Sequence, residues 1–210
     1  MDLSQPIRTV IPSLDGPVLA VLVRTSQALT GRRVHQLAGT GSEPGVRKVL
    51  RRLSETGLVT AVEAGGSTLY TLNRQHVAAP VVEQLVNLRQ FMIDRLREEF
   101  RQWRLAPVHA SLFGSAARGD GGPASDIDIL LIHDQDPAYP PALWVDQVSD
   151  LAELVYRWTG NHAQMYELGL EQLDEHIVAG EEIVQEWVRD AITLAGLDFR
   201  QLRTARRSPR

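Results

Sequence analysis

Cysteine is absent from the 210-residue chain, which excludes disulfides, thiolate zinc sites and cysteine nucleophiles. No apolar run approaches the roughly 20 residues that a membrane-spanning helix needs. The stretch Val18–Val23 is far too short and lies within an amphipathic pattern, and no signal-peptide pattern is visible. A soluble cytoplasmic protein is the expectation. Internal repeats and low-complexity segments are also missing.

A strong net charge is missing too, the total being −4, but that modest sum conceals an uneven distribution. Residues 1–76 carry nine Arg/Lys against five Asp/Glu (+4), residues 77–104 five against four (+1), and residues 105–210 eight against seventeen (−9). A basic amino-terminal module beside an acidic carboxy-terminal one is what a chain shows when only its first part meets a polyanion. The acidic part suits metal binding and makes a poor nucleic-acid surface. With 43% hydrophobic residues, the chain has material for two small cores.

The segment richest in chemistry is Ser111-Leu112-Phe113-Gly114-Ser115-Ala116-Ala117-Arg118-Gly119-Asp120, followed by Asp126-Ile127-Asp128-Ile129-Leu130-Leu131-Ile132. A hydrophobic strand breaks on Gly-Ser, and a second strand carries aspartates at alternate positions. Residues i and i+2 of a strand share a face, so Asp126 and Asp128 present paired carboxylates while Ile127 and Ile129 point into apolar packing. Two carboxylates that close repel unless a cation neutralises them, and their oxygens suit Mg²⁺, which completes its shell with substrate phosphates. Gly114 allows a ligand close to the backbone, Ser115 adds a hydroxyl at an expected helix start, and Arg118 lies one turn on, within reach of the same anion.

Together, Gly114-Ser115-Ala116-Ala117-Arg118-Gly119 and Ser125-Asp126-Ile127-Asp128-Ile129 closely resemble the minimal nucleotidyltransferases of the DNA polymerase beta-like superfamily. The resemblance implies a small α/β domain with a mixed sheet, Mg²⁺ or Mn²⁺ as cofactor held by Asp126 and Asp128, and a nucleoside triphosphate placed by Gly114, Ser115 and Arg118. It also implies a third carboxylate on a later strand. The candidate strand is His162–Leu168, after a helical stretch over 142–158 and the Thr159-Gly160 break; in its hydrophobic rhythm the third position falls on Gln164, which carries no charge and cannot act as a base. Period-two alternation puts His162 and Tyr166 on the face of Gln164 and Glu167 on the opposite one. His162 is the candidate substitute as base or metal ligand.

The first third reads differently. An apolar helix is predicted over 16–28, a second over 31–38 after Thr30, and a third over 43–56 after the N-cap candidate Ser42. Val46, Val49, Leu50 and Leu53 recur at helical spacing and should face inward, leaving Arg47, Lys48, Arg51 and Arg52 at the surface. The segments 58–62 and 67–72 flank Gly65-Gly66, a hairpin signal. Three helices and a hairpin resemble the winged helix-turn-helix of bacterial repressors, which implies double-stranded DNA as partner and those four cations as its contacts.

Residues 77–104 contain Val81, Val82, Leu85, Leu88, Phe91, Met92, Leu96 and Phe100 at helical intervals, predicting one long linking helix and, through it, a homodimer. Two helices over 170–178 and 181–189, a short strand over 191–194 and a mobile basic tail with Arg203, Arg206, Arg207 and Arg210 complete the chain. The expected fold is thus α+β: a winged helix over 1–76, a linking helix over 77–104, a nucleotidyltransferase domain over 105–196 and a tail over 197–210. The expected function is metal-dependent transfer of a nucleoside monophosphate to a hydroxyl by a DNA-associated enzyme, with a protein such as a partner toxin as a candidate acceptor. The alternative is a DNA-binding regulator whose nucleotidyltransferase domain, lacking its base at Gln164, senses a nucleotide or mediates assembly.

Overall fold

The computed structural model describes residues 1–136 and 138–207. The chain divides into two compact units, one of residues 4–89 with Asp2, the other of residue 90 onward with Met1 and Leu3.

The first unit contains a 3₁₀ turn (Pro6–Thr9), α1 (Asp15–Val23), β1 (Leu29–Thr30), α2 (Gly31–Ala38), α3 (Glu43–Glu55), β2 (Val59–Ala64), β3 (Ser67–Leu72) and α4 (Ala79–Val86). Helix α1 stops five residues before the expected end. The Thr25 hydroxyl accepts the Gln27 N–H at 3.0 Å, a local turn that competes with the helix and frees Leu29 to pair with Tyr70 in an antiparallel sheet of order β1-β3-β2. Thr30 caps α2 by accepting the Arg33 N–H, and Ser42 caps α3 by accepting the Gly45 N–H, each at 3.2 Å. Such caps each stabilise a helix by about 1 kcal/mol. Val46, Leu50 and Leu53 bury one stripe of α3 against Val18, Leu22 and Val34. Gly65 and Gly66 both take positive φ, as a two-residue hairpin turn requires.

The single linking helix expected over 77–104 is two helices, α4 and α5 (Leu88–Arg101), separated at Asn87, whose N–H bonds the carbonyls of Glu83 and Gln84. Its apolar stripe is divided between two cores: Val82 and Val86 bury in the first unit, Met92, Ile93, Leu96 and Phe100 in the second. Of the stripe that suggested a dimer seam, Val81 and Phe91 stay exposed.

From residue 90 the second unit continues through β4 (His109–Phe113), α6 (Gly114–Arg118), β5 (Ile127–His133), α7 (Ala142–Thr159), β6 (Ala163–Gly169), α8 (Leu170–Ala179), α9 (Glu182–Asp190), β7 (Ile192–Gly196) and α10 (Phe199–Arg207). Its sheet runs β6-β5-β4-β7, with β5 and β6 parallel and the other pairs antiparallel. Strand β5 is apolar on both faces because both are covered. Ile127, Ile129 and Leu131 pack with Leu96 of α5 and with Trp144 and Leu151 of α7. Leu130 and Ile132 pack with Leu173 of α8, Trp187 of α9 and Phe199 of α10.

The basic tail is likewise corrected over its described part. Residues 199–207 are helical; Phe199 and Leu202 bury beside Trp187, and Arg206 pairs with Asp174, its Nε donating at 2.8 Å. The apolar pair at i and i+3 gives this helix a face to bury, which arginine counting overlooked. Ser208, Pro209 and Arg210 lie outside the described residues. Among the described residues, no helix is long and apolar enough to cross a membrane.

Candidate functional site

Asp126 immediately precedes β5 and is exposed, while Asp128, the second residue of the strand, is half-buried, with the fully buried Ile127 between them. The antiparallel register sets Phe113, the last residue of β4, opposite Asp128, so the turn into α6 runs directly beside that carboxylate. At Gly114, φ is +63°, and a Cβ built there would collide with Asp128 Oδ2. Both the left-handed backbone and the closeness of Asp128 demand glycine. The short α6 then closes as the Ser115 carbonyl accepts the N–H groups of Gly119 and Asp120 at 2.9 and 3.1 Å, which brings the half-buried Ser115 to the same end of the sheet.

The loop that delivers Asp126 is held by Asn161, which is 3% exposed. Its Nδ2 donates to the Ser125 carbonyl at 2.9 Å and to the Pro123 carbonyl at 3.2 Å. Its own N–H is accepted by the Thr159 hydroxyl at 3.0 Å. The sequence pattern marks Thr159-Gly160 only as a break and assigns nothing to Asn161. The signal available was an asparagine next to a break, a residue able to donate and accept at once.

The parallel register pairs Asp128 with Gln164, making them lateral neighbours on one face, with Gln164 exposed on the edge strand β6. His162 lies just before β6. Its carbonyl accepts the Ile127 N–H at 2.8 Å, and its ring stacks on Tyr156 with centroids 4.9 Å apart. Glu167 lies on the opposite face, accepting the Trp144 indole N–H at 2.9 Å.

Burial, foremost, and then the charge of Asp126 push the Asp128 carboxyl above its ordinary value; Arg118 opposes this and Glu186 of α9 adds to it. Arg118 is not free to neutralise the site, since it donates to Asp190 at 3.0 Å and Asp120 at 3.1 Å. Asp190 takes two bonds from Arg189 as well, and the two guanidiniums, Arg189 before Arg118, hold its carboxyl down at about 2. Arg118, expected on the phosphate side, is therefore also the clasp between α6 and α9. Glu186 was missed because it sits about sixty residues from the motif, on a helix whose pattern says nothing of what it faces.

Among the described residues, no group of three or more His, Asp or Glu side chains is gathered closely enough to hold a metal ion. Two neighbouring carboxylates, one half-buried and short of counter-charge, nonetheless fit the donor set of Mg²⁺, which takes one or two carboxylates and fills its shell with phosphate and water oxygens.

In the first unit, an open groove of about 1050 Å³ runs between α3 and the β2–β3 hairpin, lined by Arg47, Lys48 and Arg51 together with Thr30, Arg32, Ser67, Thr68 and Tyr70. Arg52 lies outside it, ion-paired with Asp15. Arg32 was not anticipated, because it lies in the first turn of α2 rather than on α3. Arg47 pairs with Glu43 at 2.5 Å and Arg51 with Glu55 at 4.0 Å, exposed contacts of small worth that leave both cations available.

Residues 93–200 match the model of the nucleotidyltransferase domain family, a span from α5 to the start of α10 that takes in β4, the Gly114 turn and the aspartate strand. No curated protein matches the chain. Because the match covers just over half of the chain, the protein belongs to the nucleotidyltransferase domain family.

Proposed function

We propose that this protein is a DNA-associated, divalent-metal-dependent enzyme that transfers a nucleoside monophosphate from a nucleoside triphosphate to a hydroxyl. The observation that carries this reading is the close approach of Gly114 to Asp128, which sets a backbone turn able to receive phosphate against a carboxylate able to share a metal with it. Asp126 and Asp128 hold Mg²⁺ or Mn²⁺. The metal supplies charge stabilisation to the attacking and leaving oxygens. Gly114 admits the triphosphate to the backbone and Ser115 donates its hydroxyl to a phosphate oxygen, so positioning and electrostatics provide the catalysis, as expected for phosphoryl chemistry. The acceptor oxygen bonds the α-phosphorus as the bond to the β-phosphate breaks, and pyrophosphate leaves. A side chain on a partner protein, such as a toxin, is among the acceptors this chemistry serves. Release of pyrophosphate rather than orthophosphate on adding Mn²⁺ and each nucleoside triphosphate, absent from Asp126→Asn/Asp128→Asn, supports the reading; orthophosphate release alone contradicts it.

The first unit is proposed as a winged helix-turn-helix that binds double-stranded DNA through Arg32, Arg47, Lys48 and Arg51, with α3 in the major groove and the hairpin as the wing. Steepness of binding against salt tests this, because every phosphate that the protein ceases to neutralise lowers the slope by about 0.9.

A second reading, a regulator whose nucleotide site binds without turning over, is favoured by one observation: the lateral neighbour of Asp128 is Gln164. It predicts metal-dependent nucleotide binding with no pyrophosphate release.

A further inference from the structure

We infer that Glu186, brought in by α9, is the proton acceptor of the transfer step; this rests on the nucleotidyl transfer proposed above. Two contacts fix α9 over the site. The Trp187 ring meets Phe113, the residue before Gly114, edge-on with centroids 6.2 Å apart, and Asp190 accepts from Arg118 of α6 at 3.0 Å. Four residues of helix turn through about 400°, so Glu186 lies one turn before Asp190 and only about 40° around the axis from it. It therefore shares the face of α9 that meets α6 and the Gly114 turn.

Glu186 is half-buried and takes no side-chain hydrogen bond or ion pair among the described residues. Its charge is also one of those that raise the proton affinity of Asp128, which places the carboxylate within electrostatic reach of the metal-binding pair. The competing groups are engaged or unsuitable. Gln164 has no basic oxygen, Glu167 is on the opposite face with Trp144, and the His162 ring is stacked on Tyr156. Asp120 and Asp190 are tied to Arg118.

In the step assigned to it, the acceptor hydroxyl oxygen forms its bond to the α-phosphorus and the α–β bridging bond breaks, its electron pair leaving with pyrophosphate. The hydroxyl proton passes to the Glu186 carboxylate and from there to water. A carboxylate on a helix thereby does what the uncharged Gln164 on the strand cannot.

The test compares the full-length wild type, Asp128→Asn, Glu186→Gln and Glu186→Asp, using Mn²⁺, α-labelled nucleoside triphosphates and cell lysate as acceptor. Glu186→Gln should slow transfer at saturating nucleotide by roughly a hundredfold or more, with the nucleotide KM essentially unmoved. Calorimetric affinity for a non-hydrolysable α,β-methylene nucleotide with Mn²⁺ should be unchanged, and Glu186→Asp should recover part of the rate. Full activity of Glu186→Gln beside an inactive Asp128→Asn overturns the inference and leaves nucleotidyl transfer standing. So does a Glu186→Gln defect that appears wholly as weakened nucleotide affinity. Absence of transfer by the wild type, or transfer unaffected in Asp128→Asn, overturns the underlying reading and the inference with it.

Discussion

The two units place their charged residues in opposite ways. In the first, Arg32, Arg47, Lys48 and Arg51 are exposed on the rim of a groove, and the core beneath them is apolar and indifferent to their charge. In the second, Asp128 projects from a strand whose other residues are buried on both faces, so its carboxylate bears a desolvation cost and the repulsion of Asp126. A basic surface can be added to a helix at little energetic expense; an acidic pair on a buried strand costs stability unless a cation neutralises it. The difference predicts that charge removal will be nearly neutral for stability on the groove rim and stabilising at Asp128.

The largest effect expected is on Asp128. Because its pKa is raised in the folded protein, ionisation costs stability as pH rises through the folded value, and a neutral isostere removes that cost. Asp128→Asn should therefore melt no lower than wild type without divalent cation, yet lack the melting increase that Mn²⁺ and nucleotide give the wild type, a gain of about 2.7 kcal/mol at roughly a hundred times Kd. Scanning calorimetry with and without ligand checks both halves. A variant that melts well below wild type without cation would erase the contrast between the units.

Gly114→Ala should come next. The left-handed backbone alone costs roughly 1–2 kcal/mol, and the added methyl would push Asp128 aside, so transfer should fall along with stability in a parallel melting and activity assay. In the first unit, neutralising Arg32, Arg47, Lys48 and Arg51 to Gln should lower the salt slope of DNA binding by about 0.9 for each phosphate left without its cation, with the melting temperature and pyrophosphate release unchanged. Arg52→Gln, whose partner is Asp15, should leave the slope alone. An equal effect of Arg52 would mean that the groove is not the DNA surface.

A smaller effect sharpens the acidic side of the comparison. Asp190→Asn releases Arg118 and Arg189, and because both guanidiniums are substantially exposed the melting temperature should fall only slightly. With the folded carboxyl held at about 2, the pair stabilises at pH above the ordinary carboxylate value, and that stabilisation disappears as pH falls towards about 2. The melting difference between this variant and wild type should shrink over that window. The smallest effect expected is that of Asn161→Ala, which removes two bonds from the loop before Asp126: weaker Mn²⁺ affinity in calorimetry with the fold retained.

Sequence pattern read best where one element is sufficient. Val46, Leu50 and Leu53 follow helical spacing, and Asp126 and Asp128 follow strand spacing, so both the basic helix and the carboxylate pair were visible from local periodicity. The alignment of Gln164 with Asp128 was also legible, since both strands keep simple alternation. What stayed hidden depends on which elements meet. Glu186 comes within electrostatic reach of Asp128, and Asn161 reaches the loop before Asp126, only because α9 lies on α6 and because the chain after α7 returns beneath the aspartate loop. The helix break at Asn87 was masked by an apolar stripe that continues on either side of it, because two separate cores ask for the same residue types. Helix α10 was masked by its arginines, although Phe199 and Leu202 carried its burial signal.

The most direct test follows radiolabel from α- and γ-labelled nucleoside triphosphates, with Mn²⁺ and cell lysate, into an acceptor, beside the Asp126→Asn/Asp128→Asn protein. Label from the α position alone, moving with the wild type and not with the double variant, is the predicted result. Label arriving from the γ position, or nucleotide bound without any label moving, would contradict nucleotidyl transfer by this site.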